Sequence, residues 1–322
     1  MGVKMVDRNY NMNLIDLHQD LAFSSMKSDV INGDGQSSIK ELKKFDSCTV
    51  FSVVFPHINT WNEYAQVLTE KYRTSSQSTS PLMQILLEQV KFYYYISRSE
   101  KVPIVEKGSD LSKKGLKMII ALEGTDAITD PFDVYLLRNL GFRSIGLTWN
   151  YDTKFAASCM SEKDYGLTGA GRELVKLCNS NRMVVDLGHS SRNTILETCE
   201  ISDYPVVFSH GNAKGVWDHI RNIDDRCIEA VIDTGGVVGI TAITPTLSAD
   251  PKIEDLVSHM EYVGDRFGWE HVALGSDFLG ISTTPRGFES VEKIPELSNM
   301  LGIHSDQVLW KNAENVLKHI LE

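Results

Sequence analysis

No run of apolar residues in this chain is long enough to cross a bilayer, which excludes a transmembrane helix. The N-terminus lacks a cationic segment followed by an apolar stretch and a small-residue cleavage site. No Asn-x-Ser/Thr sequon occurs, and Met1-Gly2 is not followed by the Ser/Thr of a myristoylation motif, so neither secretion nor lipid anchoring is expected. The five cysteines, Cys48, Cys159, Cys178, Cys199 and Cys227, are odd in number and show no C-x-x-C spacing. That excludes a disulfide framework or a cysteine zinc site and leaves thiols expected to be reduced and partly buried. Positive charge is short as well: 32 Lys and Arg against 43 Asp and Glu give a formal charge of −11. This argues against nucleic acid and anionic membrane surfaces as partners, and a soluble cytoplasmic protein is expected. A Gly-x-Gly-x-x-Gly turn after the first strand and a Gly-x-Ser-x-Gly elbow are also missing, which argues against an open dinucleotide-binding sheet and a serine hydrolase.

Hydrophobic content of 42% supplies an ample core for 322 residues. Short apolar runs alternate with segments of helical periodicity along the whole chain. Strands are expected at 14–18, 48–55, 118–122, 144–149, 184–188, 206–209, 236–241 and 272–276. Helices are expected at 63–73, 82–98, 130–139, 171–181, 191–200, 224–233, 253–267 and 305–321, with Ser190 or Ser191 capping the one from 191. Eight strands separated by helices, without a linker or a composition break, predict one (β/α)8 barrel (TIM barrel) over residues 1–322. Asn32-Gly33-Asp34-Gly35 lacks the rest of a calcium loop and reads as a turn. Gly166-x-x-Gly169-x-Gly171 does not follow a strand and reads as a loop. Tyr93-Tyr94-Tyr95 would fan round a helix, so packing is expected of it and not a base-stacking platform.

The chemistry sits where the apolar runs stop. The first run closes on His18-Gln19-Asp20, the third on Glu123, the fifth on His189, the sixth on His210 and the eighth on Asp277. Active sites of such barrels are built at the C-terminal ends of the strands, so these five endings would converge at one mouth. In an extended strand His18 and Asp20 share a face, with Leu17 and Gln19 on the other. Imidazole and carboxylate ligands in this number suit two divalent cations sharing a carboxylate, zinc first, with manganese or cobalt as alternatives. His57, His219, His259, His271, His304 and His319 are expected on the surface or in packing.

The segments Ile15-Asp16-Leu17-His18-Gln19-Asp20, Ala121-Leu122-Glu123-Gly124, Val185-Asp186-Leu187-Gly188-His189-Ser190-Ser191, Pro205-Val206-Val207-Phe208-Ser209-His210, Arg221-Asn222-Ile223-Asp224-Asp225 and His271-Val272-Ala273-Leu274-Gly275-Ser276-Asp277-Phe278 resemble, in order and spacing, the renal (membrane) dipeptidase family, peptidase family M19. The resemblance implies a metal-dependent barrel in which His18 and Asp20 bind one zinc, Glu123 bridges, and His189 and His210 bind the other. It further implies that Asp277 transfers the proton, that Arg221 takes the substrate's carboxylate, and that a metal-bridging hydroxide attacks a dipeptide with a free C-terminus. Two positions depart from the family: Trp149 stands in place of its strand-four histidine, and Leu279 in place of a second aspartate. Trp149 and the adjacent Asn150 are therefore expected in the substrate pocket, as replacement hydrogen-bond donors to the oxyanion and, for Trp149, as a wall favouring small residues such as Ala or Gly. Two other readings stay open: an amidohydrolase acting on a non-peptide amide or N-acyl amino acid, and a metal-binding protein without catalysis. The expected partner is a small peptide, with a homo-oligomer left open.

Overall fold

The computed structural model describes residues 9–57 and 81–322. Its eight parallel strands are β1 (Asn13–Gln19), β2 (Ser47–Val54), β3 (Gly115–Leu122), β4 (Phe142–Gly146), β5 (Val184–Asp186), β6 (Val207–Gly211), β7 (Val237–Ile240) and β8 (Val272–Leu274). Each pairs with the next, and β8 pairs back to β1 through Asp16 and Leu274, so the sheet closes into the expected (β/α)8 barrel. Closure leaves no sheet edge and buries both faces of every strand, which is why the strands read as nearly continuous apolar runs.

Two apolar layers follow from strand alternation. Ile15, Leu17, Phe51, Ile119, Ala121, Val184, Val207, Val237 and Ala273 fill the barrel, and Ala313, Val316, Leu317 and Ile320 of the helix Asn312–Ile320 close its lower end. The outward side chains pack under the surrounding helices. Three of these helices begin on the side-chain caps their sequences offer. Thr168 accepts from Gly171 N–H ahead of Gly169–Ser180, Ser191 from Thr194 N–H ahead of Arg192–Ile201, and Asp224 from Cys227 N–H ahead of Asp225–Asp233. Helices Pro81–Ser99 and Ile253–Phe267 match their expected spans. The expected final helix is divided into a π-turn at Gln307–Lys311 and the helix Asn312–Ile320. The expected helix 63–73 lies outside the described residues. Tyr93 is buried while Tyr94 and Tyr95 are exposed, the fan that helical geometry requires. Among the described residues no helix is long and apolar enough to cross a membrane.

Two details depart from the simple reading, and both shape the mouth of the barrel. In β1 the pairing with β2 shifts register between Asp16 and Gln19. This bulge lets Leu17 join the interior cluster and still turns the next side chain, His18, inward above it. Strict alternation, which put Leu17 on the face opposite His18, does not hold there. Strand four stops at Gly146 and not at Trp149. The Leu147 carbonyl accepts hydroxyls from Thr125 and Thr153, so side chains take the place of a neighbouring strand and free Trp149 and Asn150 into the mouth loop.

Candidate active site

Strand ends bring the five expected cation ligands and the expected proton-transfer residue, Asp277, together. His18 Nε2 lies 3.4 Å from Asp20 Oδ2, 3.6 Å from Glu123 Oε1 and 3.5 Å from Asp277 Oδ1. Glu123 Oε1 lies 3.0 Å from His189 Nε2 and 3.5 Å from His210 Nε2. One carboxylate thus touches three imidazoles supplied by β1, β6 and the turn after β5. His18 and Glu123 stand at or just past the ends of β1 and β3, and His210 lies within β6. His189 and Asp277 come three residues beyond β5 and β8, both in the left-handed backbone region (φ 64° and 61°). For residues other than glycine that conformation is costly, and it turns both side chains back over the mouth.

Buried carboxylates hold these turns. Asp16 accepts from the backbone N–H of His18 and Ser276, from Gln19 Nε2 and from Ser276 Oγ, tying β1 to the segment that carries Asp277. Asp186 accepts from Gly188 and Ser209 N–H, fixing the turn to His189 against β6. Leu279, where the resemblance implied an aspartate, directs its side chain to the core, while its N–H goes to Gln36 Oε1 and its carbonyl accepts from Ser24 Oγ.

The electrostatics are those of a cation site. Burial and the neighbouring carboxylates lift Asp277 to about 7 and Glu123 to about 8, against a downward pull from His18 in both cases. Burial alone would depress His18, yet Glu123, Asp20 and Asp277 around it raise it to about 10. His189 and His210 are pushed far below the ordinary imidazole range, by burial first and then by the positive groups beside them, so they are held neutral. Neutral imidazole is the form that ligates a metal. The Nε2 atoms of His18 and His210 are buried without a hydrogen-bond partner. Two ligand groups, His18 with Glu123 and His210, and His18 with Asp20 and Asp277, each gather their donor atoms within 4.8 Å. Orphaned imidazole nitrogens facing carboxylates in this way fit divalent cations held by nitrogen and oxygen.

A cleft of about 410 Å³ opens over these ligands, lined by Phe23, Phe55, Trp149, Asn150, His219, Ile220, Arg221 and Ile281 among others. Arg221 reaches in from the loop after β6. Its Nη2 is 3.0 Å from His189 Nε2, and its Nη1 is buried with no partner. Trp149 leans on His57, Phe55 and Tyr151, with ring centroids 4.3, 5.0 and 5.6 Å away, and lines the cleft with its ring centroid 5.9 Å from that of His189. Its indole N–H has no acceptor among the described residues. Asn150, expected as a donor to substrate, lines the cleft and sets its amide oxygen 2.8 Å from His189 Nδ1. His57 is a packing residue behind the wall, as expected, whereas His219 stands at the mouth and not merely on the surface. Sequence reasoning passed over Phe23, Phe55, Asp16 and Asp186. For the two aspartates a signal existed, a charge inside an apolar strand, whereas nothing in the sequence places Phe23 beside Phe55 (5.7 Å, edge to face).

A sequence model described as membrane dipeptidase (peptidase family M19) matches residues 6–322. An uncharacterized dipeptidase of Schizosaccharomyces pombe is 31% identical over 245 residues, which cover 74% of this chain and 58% of that protein. Dipeptidase verJ of Clonostachys rogersoniana is 38% identical over 183 residues, 56% of this chain and 47% of that one. The matched part of the chain thus spans about half to three-fifths of these curated relatives. Among solved structures, a metallopeptidase from Rhodobacter sphaeroides, bound to a phosphinate mimic of the dipeptide L-Ala-D-Ala, superposes with a TM-score of 0.82 at 22% identity, covering 96% of this chain and 99% of that one. The probable dipeptidase PvdM of Pseudomonas aeruginosa superposes with a TM-score of 0.82 at 14% identity, covering 96% of each chain.

Proposed function

The chain belongs to the membrane dipeptidase family, peptidase family M19, and on that premise we propose that it hydrolyses the single peptide bond of dipeptides with a free C-terminal carboxylate, using two divalent cations, zinc first. The observation that carries this reading is the pairing of two features in one cleft: buried imidazole nitrogens without partners, facing carboxylates, and a buried guanidinium nitrogen without an acceptor beside them. His18 and Asp20 would hold one cation, His189 and His210 the other, with Glu123 shared. Bound there, the cations supply an activated water and polarise the scissile carbonyl.

The chain's own groups do the rest. Asp277, which lines the cleft with its Oδ1 3.5 Å from His18 Nε2, takes a proton from the attacking water and delivers it to the departing amine. Arg221 recognises the terminal carboxylate. Nη1 already lacks an acceptor, and Nη2 would also be free with His189 Nε2 holding a cation, so that the fork could take both oxygens. Trp149 offers its unpaired N–H to the oxygen on which charge develops. The alanine-like mimic bound by the Rhodobacter sphaeroides structure supports small residues as the first substrates to try.

The test is a hydrolysis screen of L,L- and L,D-dipeptides of Ala and Gly, with elemental analysis of the same sample. About two divalent ions per chain and turnover of at least one such dipeptide are expected, and Glu123→Gln should weaken both sites because the residue is shared. Turnover confined to N-acyl amino acids would make the protein an amidohydrolase of another specificity. Two ions with no amide turned over would make it a binding protein.

A further inference from the structure

The geometry points to Asn150 as the residue that positions His189 as a metal ligand, rather than as a contact to substrate. This rests on the two-cation reading above. An imidazole can give a cation only the nitrogen without a proton, so the opposite nitrogen must carry the proton and needs an acceptor. For His189 the cation-facing nitrogen is Nε2, 3.0 Å from Glu123 Oε1. Its Nδ1 is 2.8 Å from Asn150 Oδ1, an oxygen that can only accept. The hydrogen bond therefore fixes both the tautomer and the ring plane.

The other imidazole assigned to this cation is built in the same way. His210 Nδ1 is 2.8 Å from Ser209 Oγ, and its Nε2 faces Glu123 at 3.5 Å. Two rings, one in β6 and one in the turn after β5, each have Nδ1 engaged and Nε2 aimed at one carboxylate. His189 has the greater need of such a brace. It stands in a left-handed turn three residues past its strand, whereas His210 lies within β6. Backbone bonds bring its partners close: Cys159 N–H donates to the His189 carbonyl at 2.7 Å, tying the loop that starts at Trp149 and Asn150 to the turn. The pair Trp149-Asn150 then divides its work. The indole lines the cleft, and the next side chain turns its amide oxygen to His189 Nδ1 and holds the ligand.

Metal uptake, and not turnover, tests this. Metal-free wild type and Asn150→Ala are titrated with Zn²⁺ by calorimetry and with Co²⁺ by its visible absorption. One of two binding steps should weaken about 10–100-fold in Asn150→Ala, with the other nearly unchanged. Asn150→Asp keeps an acceptor at the same reach and should restore the affected step to within a few-fold of wild type, a rescue that general damage to the loop would not show. Trp149→Phe, one residue away, should leave both steps alone. Two unaltered steps in Asn150→Ala, or equal losses in the Ala and Asp variants, overturn the assignment even if wild type binds two ions and cleaves dipeptides. Uptake of no cation by wild type would overturn the two-cation reading along with it.

Discussion

Trp149 is one of two residues at which the motifs of this chain depart from the pattern the resemblance implies, and the structure gives it a definite setting. The indole is held off the ligands by Phe55, His57 and Tyr151, so it narrows one side of the cleft without filling it. Trp149→Phe preserves the stacking and removes the one N–H. If that N–H meets the oxyanion, kcat falls at least about tenfold with KM little changed, since lost oxyanion donors commonly cost about 10²–10³. An unchanged kcat in steady-state assays would leave oxyanion stabilisation to the cations. For Arg221 the expected signature is the opposite. Arg221→Ala should raise KM for peptides with a free carboxylate by the equivalent of about 2–5 kcal/mol, with a much smaller effect on C-terminally amidated peptides, if any of those are cleaved. Equal kinetics on both peptide classes would place carboxylate recognition elsewhere. The positions of these residues were legible from their motifs, but the orientation of Asn150 was not. Which way an amide turns depends on the His189 ring 39 residues away, and no local pattern encodes that.

At the level of strands and turns, most of what builds the mouth was legible, because a strand buried on both faces announces itself as an apolar run and its functional residue as the polar stop. The illegible parts are those where one element depends on another far away. The bulge in β1 is one case, since its register is set against β2 and its carboxylate, Asp16, is satisfied 260 residues later by Ser276. Asp16→Ala would strand the N–H groups of His18 and Ser276 in a buried seam and open the β1–β8 junction. A loss of about 2–4 kcal/mol in urea unfolding is expected, with weaker metal uptake, because His18 and Asp277 flank the seam. A change under 1 kcal/mol would mean that β1 and β8 are held by their ladder alone. Gly280 is a second case. A Cβ there would lie 2.3 Å from Asp20 Oδ2 and 2.6 Å from Asp277 Oδ1, so Gly280→Ala should displace both carboxylates and cost metal affinity before it costs fold stability.

Across the whole molecule, the cation cluster draws on β1, β3 and β6 and on the turns after β5 and β8, so metal occupancy and barrel stability are one equilibrium. Cations that bind only the folded chain stabilise it by about 4 kcal/mol at a thousandfold excess over Kd, on the order of 5–10 °C in Tm for a chain of this size. The pH dependence of the stripped protein gives a sharper test. Glu123 and Asp277 are raised to about 8 and about 7, and His18 to about 10, so each holds a proton in the folded state beyond the pH at which the unfolded chain has lost it. Such groups contribute stability that declines as pH rises. His189 and His210 are depressed below 6.5 and act in the opposite sense, but only below that pH, where the unfolded chain still takes up the proton they refuse. From about pH 6.5 to 8 the signs therefore agree, and the Tm of chelator-treated protein should fall steadily across this window. With cations present the ligands are already deprotonated, and proton competition for them fades as pH rises, so the loaded protein should hold its Tm or gain. The gap between the two melting curves should widen with pH. A gap that narrows, or a stripped protein that grows more stable from pH 6.5 to 8, would mean that the three carboxylates do not share one buried site with His18.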